Sequence, residues 1–330
     1  MWALLKIHSG VFSPVRIFYA GASRAVRRHA QPASAVLIDP LVSSAWLEKN
    51  LYNVSILDVR GIVDTKTLSK GVEKSDYIAC YDDYLSGHIP GAVFFNWLTD
   101  GIDISQSEVS CRQLTNDTAK FSAVVEAKGV SSEKPVVVYD DCDCLLACWL
   151  WWSLVRHGHE RVHVLDGGYK KWTAEGRATE LYEPCPLKIY GDFKPSNPRP
   201  FTSVTCDEIL ELLSTKDQSI AFVDARNLEQ YSGHVRRSKR AGRIPGAISI
   251  PRKSLITTNG IFKTIDELRE VFLNAGLNPA QQKRLIFYCN GGVASCSVLL
   301  SWHRIGGKLW SNYSGSWNEW GNREDVPVES

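Results

Sequence analysis

The residues best suited to covalent chemistry lie in one short loop. The run Arg284–Tyr288 (RLIFY) reads as a buried strand, and it ends at Cys289. Asn290, Gly291, Gly292, Val293, Ala294 and Ser295 follow, then a helical stretch to about Ile305 with Gly306-Gly307 as its stop. This order places a thiol at the carboxyl end of a strand, where open α/β sheets hold their ligands. It also sets the thiol against a helix N-terminus, whose unpaired N–H groups and dipole favour a thiolate. Gly291 and Gly292 let the backbone curl so that several N–H groups point inward, a cradle for a thiolate, a persulfide or a small oxyanion. A buried core cysteine at a strand end is the plainer alternative.

The elements that must position this loop occur twice. One copy runs VSILDVRG (54–61), GHIPGAVFF (87–95), KPVVVYDD (134–141), a helical stretch, then VHVLDGGYKKW (162–172). The other runs IAFVDARN (220–227), GRIPGAISI (242–250), KRLIFYCN (283–290), a helical stretch, then LWSNYSGSWNEW (309–320). Short β-branched runs alternating with helical patterns predict an α/β fold, two tandem domains, each a mainly parallel sheet flanked by helices. The predicted organisation is a first domain at 36–180, a linker at 181–204 and a second domain at 205–330. The linker carries five of the 14 prolines, which favours an extended strap holding the domains together. Where the second copy has Cys289, the first has Asp140.

The whole chain of 330 residues, with 38 Lys and Arg against 36 Asp and Glu, has ordinary globular composition. That near-neutral balance argues against nucleic acid as the main partner. The longest apolar run, Leu145–Val155, is too short to span a bilayer and reads as a core helix. Nine cysteines, an odd number, suit a reducing compartment with free thiols. The charge is uneven. Residues 1–38 hold Lys6, Arg16, Arg24, Arg27 and Arg28 and no acid; removing those five leaves 33 basic against 36 acidic residues. An Arg-rich, acid-free start with interleaved apolar residues predicts a mitochondrial presequence over about 1–35, and hence a matrix location, with a cytoplasmic pool as a second destination.

These landmarks together resemble the tandem-domain rhodanese family, which includes thiosulfate and 3-mercaptopyruvate sulfurtransferases. The pieces that carry the resemblance are Asp58-Val59-Arg60 and Asp224-Ala225-Arg226, the two Ile-Pro-Gly turns, the Cys289–Ser295 loop, LDGG-x-x-x-W (165–172) and YSGSWNEW (313–320). The likeness covers about residues 36–330. It implies that the first domain has lost its cysteine, as Asp140 suggests, and that Cys289 takes a sulfane sulfur from a donor as a persulfide. A thiol or cyanide acceptor then removes it, thioredoxin and glutathione being candidate thiols. Phosphatases related to the family carry an arginine six residues after the cysteine; here Ser295 stands there and cannot supply that fork. No metal or organic cofactor is expected, and a membrane is not an expected partner.

The donor is harder to read. Thiosulfate-type loops place basic residues after the cysteine, whereas this loop has Asn290 and Gly291. Gly292-Val293 is shared with mercaptopyruvate-type loops, but Asn290 and Ala294 depart from them. The family's usual arginine four residues after the Asp-x-Arg arginine is Gln230 here. Arg236, Arg237, Lys239, Arg240 and Arg243 follow within eight residues. They are either a replacement anion clamp, with Arg236 and Arg237 foremost, or a solvated loop. The Asp-x-Arg turns read first as structural, with Arg226 also a substrate-binding candidate. His88 matches a family position facing the domain interface beside the catalytic loop; it either meets substrate or satisfies its turn. Cys296 is expected in the helix core. Cys142, Cys144 and Cys148 have short spacing but lack a closing partner for a metal site. The departures at Asn290, Ala294 and Gln230 leave a non-catalytic binding or sulfur-carrier module as the alternative to an active enzyme.

Overall fold

The computed structural model describes residues 39–103, 115–182, 191–195, 199 and 202–330. The expected presequence lies outside these residues, as do positions 183–190, 196–198, 200 and 201 of the linker. The first repeat runs β1 (Leu41–Val42), α1 (Ser44–Asn50), β2 (Ser55–Asp58), β3 (Gly61–Ser69), β4 (Val72–Ala79), α2 (Tyr81–Ser86), β5 (Ala92–Phe94), α3 (Thr118–Ala127), β6 (Val136–Tyr139), α4 (Leu145–Arg156), β7 (Val162–Leu165) and α5 (Gly168–Ala174). The second runs α6 (Cys206–Thr215), β8 (Ile220–Asp224), α7 (Leu228–Tyr231), β9 (Ile248–Ser249), α8 (Ile265–Asn274), β10 (Arg284–Tyr288), α9 (Ala294–Arg304), β11 (Trp310–Asn312) and α10 (Ser316–Trp320).

Each repeat builds one parallel sheet, ordered β1-β7-β6-β2-β5 in the first and β11-β10-β8-β9 in the second. The central strands β6 (VVVY) and β7 (VHVL) are buried at every position, as parallel strands covered on both faces must be. Register sets the strand ends side by side: Asp58 pairs with Tyr139 and Asp224 with Tyr288. The Tyr139 hydroxyl accordingly donates to Asp58 at 2.7 Å.

The repeats share a core. Helices α4 and α9, each following the central strand of its repeat, pack on one another. Both are therefore buried nearly all round, and α4 contributes ten buried residues. Trp152, Trp172, Trp302, Trp317 and Trp320 are among the largest fully buried side chains. Among the described linker residues, Phe193 is buried and stacks on His159 with centroids 5.4 Å apart. No helix among the described residues is long and apolar enough to cross a membrane.

One element was not anticipated. Strands β3 and β4 form an antiparallel hairpin in the first repeat, closed by Lys70-Gly71 with Gly71 at φ +73°. It reaches the second repeat, where the Arg236 N–H donates to the Gly71 carbonyl and the Glu73 N–H to the Arg236 carbonyl, both at 2.9 Å.

Candidate active site

Cys289 follows directly from β10, and α9 begins five residues later at Ala294. The thiol residue is 3% exposed. Its backbone is held from behind by the start of α10: the Trp317 and Asn318 N–H groups donate to the carbonyls of Cys289 (3.0 Å) and Asn290 (2.8 Å). The Cys289 N–H donates to Ser316 Oγ, and that hydroxyl donates to the Tyr313 carbonyl. This is the work of the YSGSWNEW motif. Gly292 sits at φ +74°, and a Cβ there would lie 2.7 Å from Ser314 Cα, so only glycine fits. The Gly292 carbonyl accepts from Asn312 Nδ2 and Cys296 Sγ, and Ser295 Oγ donates to Asn312 Oδ1. Gly292 and Ser295 thus hold the loop from inside. Cys296 lies in the helix core as expected, and burial raises its thiol pKa well above the ordinary value.

The first repeat shows what such a loop does to a charge. The Asp140 carboxylate accepts four backbone N–H groups at the start of α4: Cys142 and Cys144 at Oδ1 (3.0 and 2.9 Å), Leu146 and Ala147 at Oδ2 (2.7 and 2.9 Å). A carboxylate stands here at the position that Cys289 holds in the second repeat. Burial pushes the thiols of Cys142 and Cys144 well up and that of Cys148 to about 12, which disfavours thiolate ligands. No cluster of three or more His, Cys, Asp and Glu that could hold a metal occurs among the described residues.

A cavity of about 270 Å³ opens at Cys289 between the repeats. Asn290, Gly291, Val293 and Ala294 line it, with Ala225, Arg226, Asn227, Gln230, Arg237, Arg252 and Asn318. The first repeat supplies an apolar wall of Val63, Tyr77, Trp97, Ile102, Leu145 and Trp149. Tyr77 meets Trp97 edge-on, centroids 5.7 Å apart, and the Trp97 indole N–H donates to the Ile78 carbonyl.

The arginines divide. Arg226 is 4% exposed; its Nε and Nη2 bond both oxygens of Asp224, and Nη2 also donates to the Gly242 carbonyl (2.7 Å). Arg60 repeats this with Asp58 and the Gly87 carbonyl, so each Asp-x-Arg pair ties a strand end to its Ile-Pro-Gly turn. Arg226 also lies over the Trp317 ring at 4.4 Å while lining the cavity. Of the basic cluster, Arg237 alone is among the lining residues. Arg236 is a correction: its Nη1 donates to the Ser238 and Lys239 carbonyls, away from the cavity. Arg240 and Arg243 fasten the C-terminal segment through Trp320, Val326 and Glu329. His88 is a second correction. It is fully buried, stacked on Tyr84 with Nδ1 2.9 Å from the Tyr84 carbonyl, and its backbone pairs with Glu180 rather than facing the Cys289 loop.

Two contributors escaped sequence reasoning. Arg252 lines the cavity, 7% exposed, and bonds Ser297 Oγ (3.3 Å) and the carbonyls of Cys142 (3.1 Å) and Asp143. Nothing in Pro251-Arg252-Lys253 marks it as a site residue. The hairpin is the other. Its Glu73 accepts from Gln230 Nε2 (2.8 Å) and Arg237 Nε (3.1 Å), and Gln230 Oε1 accepts from Asn290 Nδ2 (2.9 Å).

The model of the rhodanese-like domain matches the chain twice, over residues 43–175 and 205–323. The chain belongs to the rhodanese family. This rhodanese is 31% identical to the 3-mercaptopyruvate sulfurtransferase of Escherichia coli strain K12 over 297 residues, 87% of this chain and 97% of that protein. It is 30% identical to the putative thiosulfate sulfurtransferase 1 of Mycobacterium bovis, over 88% of this chain and 98% of that one. The crystal structure of the 3-mercaptopyruvate sulfotransferase SseA from Escherichia coli superposes with a TM-score of 0.69 at 26% identity, covering 85% of this chain and 99% of that one. The protein is a tandem rhodanese sulfurtransferase.

Proposed function

We propose that this rhodanese moves a sulfane sulfur from 3-mercaptopyruvate or thiosulfate to a thiol or cyanide through a persulfide on Cys289. The observation that carries the reading is the placement of Cys289, at a strand end, before a helix and on the wall of the cavity. The Cys289 thiolate attacks the sulfane sulfur and an S–S bond forms. The donor's C–S or S–S bond breaks, and its electron pair leaves on the enolate of pyruvate, which takes up a proton, or on sulfite. An acceptor thiolate or cyanide then attacks the outer sulfur and returns Cys289 as thiolate. Gly291, Val293 and Ser295 stand two, four and six residues after Cys289, as Cys142, Cys144 and Leu146 stand after Asp140. By that correspondence their N–H groups hold the persulfide charge. Arg237 and Arg252 take the donor's anionic end; Arg226 shapes the floor. Thioredoxin and glutathione are the proposed physiological acceptors, and residues 1–35 a removable mitochondrial presequence.

The test is cyanolysis with each donor on wild type and Cys289→Ser. Loss of turnover in the variant, and a gain of one sulfur atom by mass on wild-type Cys289 after donor alone, are expected. Equal turnover in the variant refutes the reading. An isolated native protein beginning at Met1 refutes the presequence.

A further inference from the structure

The charges around the cavity nearly cancel. Among the described residues three charged side chains line it, all arginines: Arg226, Arg237 and Arg252. Arg226 is neutralised by Asp224 at 2.6 Å. Arg237 is neutralised by Glu73 at 3.1 Å, a residue of the other repeat. Arg252 rests on Ser297 and two carbonyls; among the described residues no carboxylate lies within ion-pair distance of it, and the nearby Asp143 carboxylate is paired with Lys253 at 2.8 Å. Among the described lining residues one positive charge is therefore without a paired carboxylate.

Glu73 is placed to control this balance. Arg237 is held by the hairpin at each of its three nitrogens, with Nη1 on Ser75 Oγ (2.7 Å) and Nη2 on Thr65 Oγ1 (3.0 Å) besides Nε on Glu73, which leaves one N–H on each Nη for a donor. The same carboxylate holds Gln230, which in turn holds Asn290 beside Cys289. Both Glu73 and Arg237 are about four-fifths buried, so the pair is only partly screened by solvent.

We propose that Glu73 determines the donor class of this enzyme: by cancelling Arg237 it matches the cavity to a sulfur donor carrying one negative charge, such as a 2-oxo-3-mercapto acid, and disfavours a dianion such as thiosulfate. The inference rests on Cys289 being the sulfur-accepting residue. The charge of Cys289 itself is common to both donors and drops out of the comparison.

The test uses Glu73→Gln, which keeps the side chain's shape and removes its charge. The ratio of kcat/KM for thiosulfate to that for 3-mercaptopyruvate rises by about tenfold, through KM rather than kcat, because one added cavity charge acts on one additional donor charge at short range. The rise shrinks as salt is added. Asp76→Asn is the control: it removes a carboxylate from the same hairpin where Asp76 faces Lys66, outside the cavity, and leaves the ratio unchanged. If Glu73→Gln does not fold, Arg237→Gln carries the test with the opposite sign, moving the ratio about tenfold toward mercaptopyruvate. An unchanged ratio, or an equal shift in Asp76→Asn, overturns the proposal. Binding of pyruvate and of thiosulfate to Cys289→Ser, with and without Glu73→Gln, is read by isothermal titration calorimetry. It decides the role of Glu73 without turnover, so a wild type inactive with both donors would refute the persulfide reading alone.

Discussion

Replacing Asp140 with asparagine asks whether the first repeat really stores an anion in a loop built for one. Asn keeps the shape and one carbonyl oxygen. Whichever way the amide is turned, its NH2 group faces two backbone N–H donors that the carboxylate now accepts at 2.7–3.0 Å. Two charge-assisted hydrogen bonds become donor–donor contacts, and the two that remain lose their charge. With each orphaned buried donor costing about 1–3 kcal/mol, two of them make the loss about 4 kcal/mol. At about 2.1 cal/mol/K of unfolding entropy per residue, the compact unit Asp39–Ser330 shifts by about 1.6 °C per kcal/mol, so Tm falls by about 6–7 °C. Differential scanning calorimetry of both proteins measures it. Turnover at low temperature persists with a raised KM, because Cys289 belongs to the other repeat while the altered loop holds Arg252 through the Cys142 and Asp143 carbonyls. A Tm within about 2 °C of wild type would refute the reasoning, since it would mean those four N–H groups are equally well satisfied without the anion.

Two further predictions rest on single residues. Gly292→Ala forces a left-handed residue costing about 1–2 kcal/mol and drives a methyl group against the Ser314 backbone; kcat/KM by cyanolysis drops by about 10- to 100-fold as the Cys289 loop shifts. Wild-type activity would show that the loop yields freely. His157 is 2% exposed, and burial, aided by the Arg156 charge, lowers its pKa to about 4 from 6.5. Between these values the unfolded chain binds a proton that the folded chain does not. Stability is therefore full above pH 6.5 and falls with acidification, by up to about 3 kcal/mol near pH 4. Urea titrations of wild type and His157→Gln across this range should show a flatter pH profile in the variant, and identical profiles would contradict the assignment.

The Cys289 loop and its degenerate partner at Asp140 were legible because their signal is local. Strand, reactive residue, small turn and helix are adjacent in the chain, and the β-branched run over 136–138 and the apolar run over 285–288 both read as buried strands. The hairpin was harder to see. Both its faces are partly solvated, so β3 lacks the alternation of buried and exposed residues that a half-buried strand imposes. Glu73, on β4, lies 164 residues from Arg237, and no motif links the two along the chain.

The basic cluster shows the same divide. The sequence alone determined that five cations crowd positions 236–243, that the parallel-sheet α/β fold recurs in two repeats, and that Cys289 ends a central strand of one. Only the tertiary structure decided that Arg236 turns to backbone carbonyls, that Arg237 reaches the cavity but is claimed by Glu73, that His88 is sealed behind Tyr84, and that Arg252 enters the site. Local order follows from neighbours in the chain, whose spacing is fixed by covalent geometry. The destination of a long charged side chain depends on which distant carbonyls and carboxylates folding delivers within hydrogen-bond reach, and no spacing along the chain encodes that.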